Sequence, residues 1–63
     1  MEEITKIIYD EERLVLEVEI EQKTLYLFTK IGEEIFEKLS GSKSKYTYFQ
    51  NQIMKNFNGV QIR

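Results

Sequence analysis

The sequence predicts an α+β domain: a three-stranded antiparallel β-meander followed by two short α-helices, with a short C-terminal strand as a candidate addition. Three observations carry that prediction. Leu14, Leu16, Val18 and Ile20 alternate with Val15, Glu17, Glu19 and Glu21, a period of two that marks a strand with one dry face and one wet face. The strand-like runs on either side are set off by polar, turn-like stretches at 10–13 and 21–23. Beyond Phe28 the apolar residues recur at spacings of three and four, which is helical.

Element by element, Ile4 to Tyr9 is rich in β-branched residues and forms the first strand. The alternating segment is the second. Leu25-Tyr26-Leu27-Phe28 is the third, apolar on both faces. Gly32 to Leu39 reads as a helix, because Glu33 and Glu34 in its first turn and Lys38 in its last suit the helix dipole. Ile35, Phe36 and Leu39 supply its apolar stripe, and Gly41 is the expected stop. Ser42 or Ser44 is the expected cap of a second helix carrying Tyr46, Phe49, Ile53 and Phe57. Asn58-Gly59 ends it, leaving Val60 to Arg63 as an extended tail or a fourth strand.

A chain of 63 residues makes one domain, 1–63. Its core is thin, and folding alone leaves such a domain about 3–5 kcal/mol of stability. A hydrophobic share of 41% with 32% charged residues places it among folded chains rather than disordered ones. With no Cys and no His, disulfides and Cys/His zinc sites are ruled out, along with a thiol nucleophile or an imidazole base. The expectation is a non-enzyme with no cofactor and no metal. Glu17, Glu19 and Glu21 share a strand face and come nearest to a weak divalent-ion site, although solvated sheet glutamates are the ordinary case. The acidic start Met1-Glu2-Glu3 does not resemble a secretory leader, and the apolar run Leu25 to Phe28 is too short for a bilayer. A cytoplasmic protein with no membrane partner is expected.

Charge is unevenly spread. All eleven acidic residues lie between Glu2 and Glu37, against only Lys6, Arg13, Lys23 and Lys30, for a balance of 4 − 11 = −7. From Lys38 onward there are Lys38, Lys43, Lys45, Lys55 and Arg63 and no acid, a balance of +5. Such asymmetry suits an anionic partner, and it equally suits two halves that attract each other on folding.

Several local strings resemble the KTSC domain family, found at the C-terminus of some lysyl-tRNA synthetases and as stand-alone bacterial and phage proteins. Tyr9-Asp10 is similar to the Tyr-Asp pair that ends the family's first strand, and Leu16, Val18 and Ile20 to its second-strand core. Tyr26-Leu27-Phe28 matches its central Tyr-x-Tyr with Phe in the last place. Ile35 to Leu39 resembles its short helix, and the string Ser44 to Ile53 is similar to its Ser-Lys-x-x-Tyr-Phe-x-x-x-Ile. The chain departs from the family at Gly32, usually Pro, and at Tyr46 and Gln50, commonly Gly and Asn. The resemblance implies an α+β fold and a role in RNA binding.

The residues themselves offer two candidate sites. Lys43, Ser44 and Lys45 at the start of the second helix, with Tyr48 and Lys55 further along, would hold phosphates and stack a base, making RNA or a phosphate-containing small molecule such as a nucleotide the first candidate partner. The plain alternative is an ordinary Ser cap with solvated lysines, and Tyr48 packed inward. On the sheet, Leu25 and Leu27 point one way, Tyr26 and Phe28 the other. If both helices cover the Leu face of strand two, Tyr26 and Phe28 with Ile7, Tyr9 and Val15 form an aromatic patch beside the glutamates. Tyr9, Tyr26 and Phe28 would then bind a protein partner, as a small accessory protein or a phage-type inhibitor of a host protein would. With one helix on each face the patch vanishes. Open sheet edges also make a homodimer or other homo-oligomer an expected assembly.

Overall fold

The structure, a computed structural model, describes residues 3–63. Met1 and Glu2, on which the expectation about a leader partly rests, lie outside the described residues. The expected α+β architecture is present. Strands β1 (Ile4–Asp10), β2 (Val15–Ile20) and β3 (Thr24–Phe28) form an antiparallel meander. Helix α1 (Glu33–Gly41) follows, then α2 (Lys45–Tyr48), which continues without a break into a π-helical turn (Phe49–Met54). The C-terminal tail is indeed a strand, β4 (Gly59–Gln61). It pairs antiparallel with β3 and completes a sheet of order β1-β2-β3-β4.

Turn geometry sets the register. The Lys23 N–H donates to the Ile20 carbonyl at 3.0 Å, and Glu21 and Gln22 take φ of 51° and 60°. Two successive positive φ values make a left-handed bend, and the loop holds three residues, Glu21 to Lys23. Ile20 and Thr24 are the cross-strand partners that flank it, followed by Val18 with Tyr26 and Leu16 with Phe28. At the other end of β2, the Asp10 carboxylate accepts the backbone N–H groups of Glu12 (3.1 Å) and Arg13 (3.2 Å), an Asx-type closure of the first turn. A bulge in β1 lets Ile4 pair with Ile20 and Lys6 with Glu19, so that Ile4 and Ile7 both reach the core.

This register overturns one expectation. Partners directly opposite share a face, so Tyr26 and Phe28 lie with Val18 and Leu16, on the side both helices cover. Tyr9, opposite Leu16, joins them. Among the described residues the expected aromatic patch on the open face does not form, because Tyr9, Tyr26 and Phe28 lie on the helix side of the sheet. Phe28 is fully buried. Tyr9 stacks on Phe36 with ring centroids 4.5 Å apart, and its hydroxyl donates to the Ile31 carbonyl at 2.6 Å. Burial, then the nearby Glu33, Glu11 and Asp10, push the Tyr9 phenol above its ordinary pKa.

The core comprises Leu16, Val18, Ile20, Phe28, Ile31, Leu39, Phe49 and Ile53. Ile31 enters it from the β3–α1 linker, where its N–H donates to the Leu14 carbonyl at 2.9 Å. Helix α1 stops at Gly41, as expected, but without a left-handed cap: Gly41 has no positive φ, and the chain leaves the helix at an extended Ser42. The π-helical turn has a readable cause. Phe49, Ile53 and Phe57 recur at intervals of four, and at the α-helical 100° per residue each step would carry the next apolar residue about 40° off the core. A wider turn absorbs the drift and keeps Phe49 and Ile53 buried and Phe57 packed on the core.

Candidate functional site

Lys43, Ser44 and Lys45 occupy one tight corner between α1 and α2, with Lys38 in the last turn of α1 nearby in the chain. All four are exposed. The corner is held by its own hydrogen bonds. Ser42 Oγ donates to the Ser44 carbonyl (3.1 Å), Ser44 Oγ to Thr47 Oγ1 (2.8 Å), and Lys45 Nζ to the Ser42 carbonyl (3.5 Å). Ser44 stands at the cap position, where its carbonyl accepts the Tyr48 N–H, but its hydroxyl does not cap the backbone. Lys55 is also exposed and lies past the π-helical turn, about 15 Å along the helix from Lys45 at an α-helical rise. The corner and Lys55 thus stand at opposite ends of one element.

Tyr48 is half-buried and packs against the core, so it does not present its ring beside Lys45. The exposed aromatic surface of this layer is elsewhere. A groove of about 140 Å³ runs between the end of the sheet and the second helix, lined by Ile20, Thr24, Tyr26, Tyr46, Phe49, Gln50 and Met54. Phe49, almost fully buried, has its ring centroid 6.1 Å from that of Tyr26 and 6.5 Å from that of Tyr46. Three of the lining residues, Phe49, Gln50 and Met54, belong to the π-helical turn. Tyr46, Gln50 and Met54 were not among the site residues singled out from sequence. A spacing of four also occurs in ordinary α-helices, so it did not mark the turn that brings them together.

Electrostatically the two layers differ. The ion pairs among the described residues are Arg13 with Asp10, exposed and at 4.0 Å, and Arg63 with Glu19. Lys38, Lys43, Lys45 and Lys55 take part in neither. Arg63 is therefore lost to the basic set. It ties the tail beyond β4 to β2 across the sheet, and hydrogen bonds from the Thr5 hydroxyl, 2.9 Å from Glu19 Oε1, and then from Arg63 hold the Glu19 carboxyl below the usual carboxylate range. Glu21 leaves the strand for the turn, so the three glutamates do not form one site, and no group of three potential metal ligands exists among the described residues.

The sheet face away from the helices carries the other surface feature. Cross-strand pairing places Ile8, Glu17, Leu27 and Val60 in one row, with Leu25 and Val15 beside it. Val60 is 62% exposed, Ile62 53% and Ile8 43%. This face is aliphatic, where aromatics were expected, and Glu17 lies in its middle without an ion pair or a side-chain hydrogen bond among the described residues. Among the same residues, no helix is long and apolar enough to cross a membrane.

A search of curated proteins finds no match. Among solved structures, a KTSC domain protein from Yersinia pestis superposes with a TM-score of 0.87 at 23% identity, over 95% of this chain and 84% of that one. At that identity the likeness concerns the fold, and it includes the sheet-and-two-helix arrangement described above. Comparison with protein-family models matches the KTSC domain over residues 2–57, from before β1 to the end of the second helix. With the family pattern and the fold in agreement over nearly its whole length, the chain belongs to the KTSC domain family.

Proposed function

We propose that this chain is a small non-catalytic binding module whose helical layer holds the phosphates of single-stranded RNA or of a nucleotide. One observation carries the reading. The acid-free segment from Lys38 onward presents Lys38, Lys43, Lys45 and Lys55 exposed and without carboxylate partners among the described residues, and the lysines at 45 and 55 bracket the groove-lining stretch of the second helix. Lysines left unpaired in this way are available to displace the counterions of a phosphate backbone. The non-catalytic part is supported by the lack of Cys and His, and by the employment of Tyr9 and Glu19, whose pKa values are shifted, in holding the fold together. A cytoplasmic bacterial or phage setting, where RNA and nucleotides are at hand, fits this role.

Titration of labelled single-stranded RNA across a salt series tests it. With Lys43, Lys45 and Lys55 on phosphates, the logarithm of the binding constant should fall against log salt with a slope of about −2. Lys43→Ala/Lys45→Ala should bring the slope to about −0.7. Absence of binding to RNA and to mononucleotides at low salt defeats the proposal.

A second reading has its own observation. The open sheet face is aliphatic around an unpaired Glu17, so the occupant it suits is a protein surface bearing an apolar strip and one cation to meet that carboxylate. Capture by this chain of a protein partner that Glu17→Lys abolishes would favour this reading; a homodimer would show instead as a concentration-dependent mass in light scattering.

A further inference from the structure

We infer that the groove between the sheet end and the π-helical turn receives one unpaired pyrimidine base. The inference rests on the phosphate-binding reading above and adds what is recognised besides charge. Three features of the groove point the same way. Its volume, about 140 Å³, is close to that of a cavity of about 150 Å³ that admits a single six-membered ring, and well below the roughly 300 Å³ at which sites for larger organic ligands begin. One six-membered ring is matched to it in size, whereas a two-ring purine, or the rest of a nucleotide, would project from the groove.

The lining is also mixed in the way a base requires. Phe49 forms the apolar floor, Tyr26 from the sheet and Tyr46 from the helix lie about it, and Ile20 and Met54 complete the apolar wall. Gln50 and Thr24 add an amide and a hydroxyl. A pyrimidine has an apolar face for rings to meet and an edge of alternating donors and acceptors. A carboxamide can serve both, since it carries two N–H donors and a carbonyl acceptor. Gln50 is exposed, and its side chain makes no hydrogen bond among the described residues, so its amide is available.

Charge chooses nucleic acid over an aromatic side chain of a protein. The helix that forms one wall has Lys45 one residue before Tyr46 and Lys55 one residue after Met54, with no acid between them. The sheet end beyond the other wall contributes Glu21 and Lys23, which offset each other, and Glu3, whose carbonyl accepts the Glu21 N–H at 3.1 Å. With Lys45 and Lys55 the described charges flanking the groove sum to 3 − 2 = +1, and the two lysines stand at either end of the helical wall where flanking phosphates would run.

The test uses the full chain and two fluorescently labelled octamers, oligo-U and oligo-A, at low salt. Oligo-U should bind about tenfold more tightly than oligo-A, the scale of one stacked and hydrogen-bonded base. Gln50→Ala, at an exposed helical position where Ala is well tolerated, should reduce that preference at least threefold while leaving the salt slope unchanged. In a second measurement, uridine 5′-monophosphate should shift the backbone amide resonances of Tyr26, Tyr46, Gln50 and Met54. Equal affinity for the two octamers, or a preference that Gln50→Ala does not alter, overturns the inference while leaving phosphate binding in place. Failure of both octamers to bind removes the parent reading and this one with it. If a Tyr-containing tripeptide shifts the groove resonances and uridylate does not, the groove belongs to a protein ligand and the inference is likewise overturned.

Discussion

The two faces of the sheet are built from alternate residues of the same strands and have opposite fates. On one, Leu16, Val18 and Phe28 are fully buried beneath the helices, and Tyr9 and Tyr26 pack beside them. On the other, Val60 is 62% exposed and Leu25 and Leu27 are only half-buried. The aromatics went to the covered face and the aliphatics to the open one. In a chain this short, ring side chains are the most efficient way to fill the space between a sheet and two helices, since each buries a large area. On the sheet, richness in aromatics was therefore a sign of the helix-covered face, and the open face is marked by plainer residues.

That contrast can be broken most sharply at β3, where neighbouring residues face opposite ways. Phe28→Ala should cost about 3–5 kcal/mol in urea denaturation, as much as the whole stability of a domain this size, so the variant should be largely unfolded. Leu27→Ala, one residue away, should cost about 1–2 kcal/mol, because half of its transfer energy was never gained. Equal losses at the two positions would mean that the open face is covered in solution, and the contrast would collapse.

A smaller effect is expected at the seam between the faces. A Cβ on Gly59 would lie 2.7 Å from Phe28 Cζ, so this position needs the bare backbone for β4 to lie against the ring. Gly59→Ala should cost about 1–3 kcal/mol, the usual range for overpacking. Faster hydrogen exchange at the Leu27 and Val60 amides should accompany it.

The open face also carries the pH response. Hydrogen bonds from Thr5 and from Arg63 depress the Glu19 pKa in the folded state. The stabilisation from that pairing is thus complete above the ordinary glutamate pKa of about 4.3 and is lost as pH falls through the lowered native value. Melting temperatures measured from pH 6 down to pH 2 should drop less steeply for Glu19→Gln than for the natural chain. An unchanged acid slope would mean that Arg63 does not fasten the tail beyond β4 to β2 in solution. Smallest of all, Val60→Thr should change stability by no more than about 0.5 kcal/mol, as exposed substitutions usually do.

How much of this was legible follows from particular residues. Leu16, Val18 and Ile20 announced their strand and their burial through strict alternation, because period two has only one way to hide every other side chain. The acid-free stretch from Lys38 was equally plain, as was Phe49, Ile53 and Phe57 forming an inward stripe. Tyr48 and Tyr46 were harder. Their assignment to core and to groove depends on how far the helix has rotated by each residue, and the π-helical turn changes that rotation.

What the sequence by itself determined is the three-stranded meander and the two helices that follow it, their order, and the separation of acidic from basic segments, because these depend on local periodicity and composition. Which side of β3 meets the helices was decided only by the tertiary structure. Tyr26-Leu27-Phe28 is apolar on both sides and has no preferred face of its own. The left-handed turn at Glu21 and Gln22 sets Ile20 opposite Thr24, and a shift of one residue in that pairing would have turned the rings outward and the leucines in.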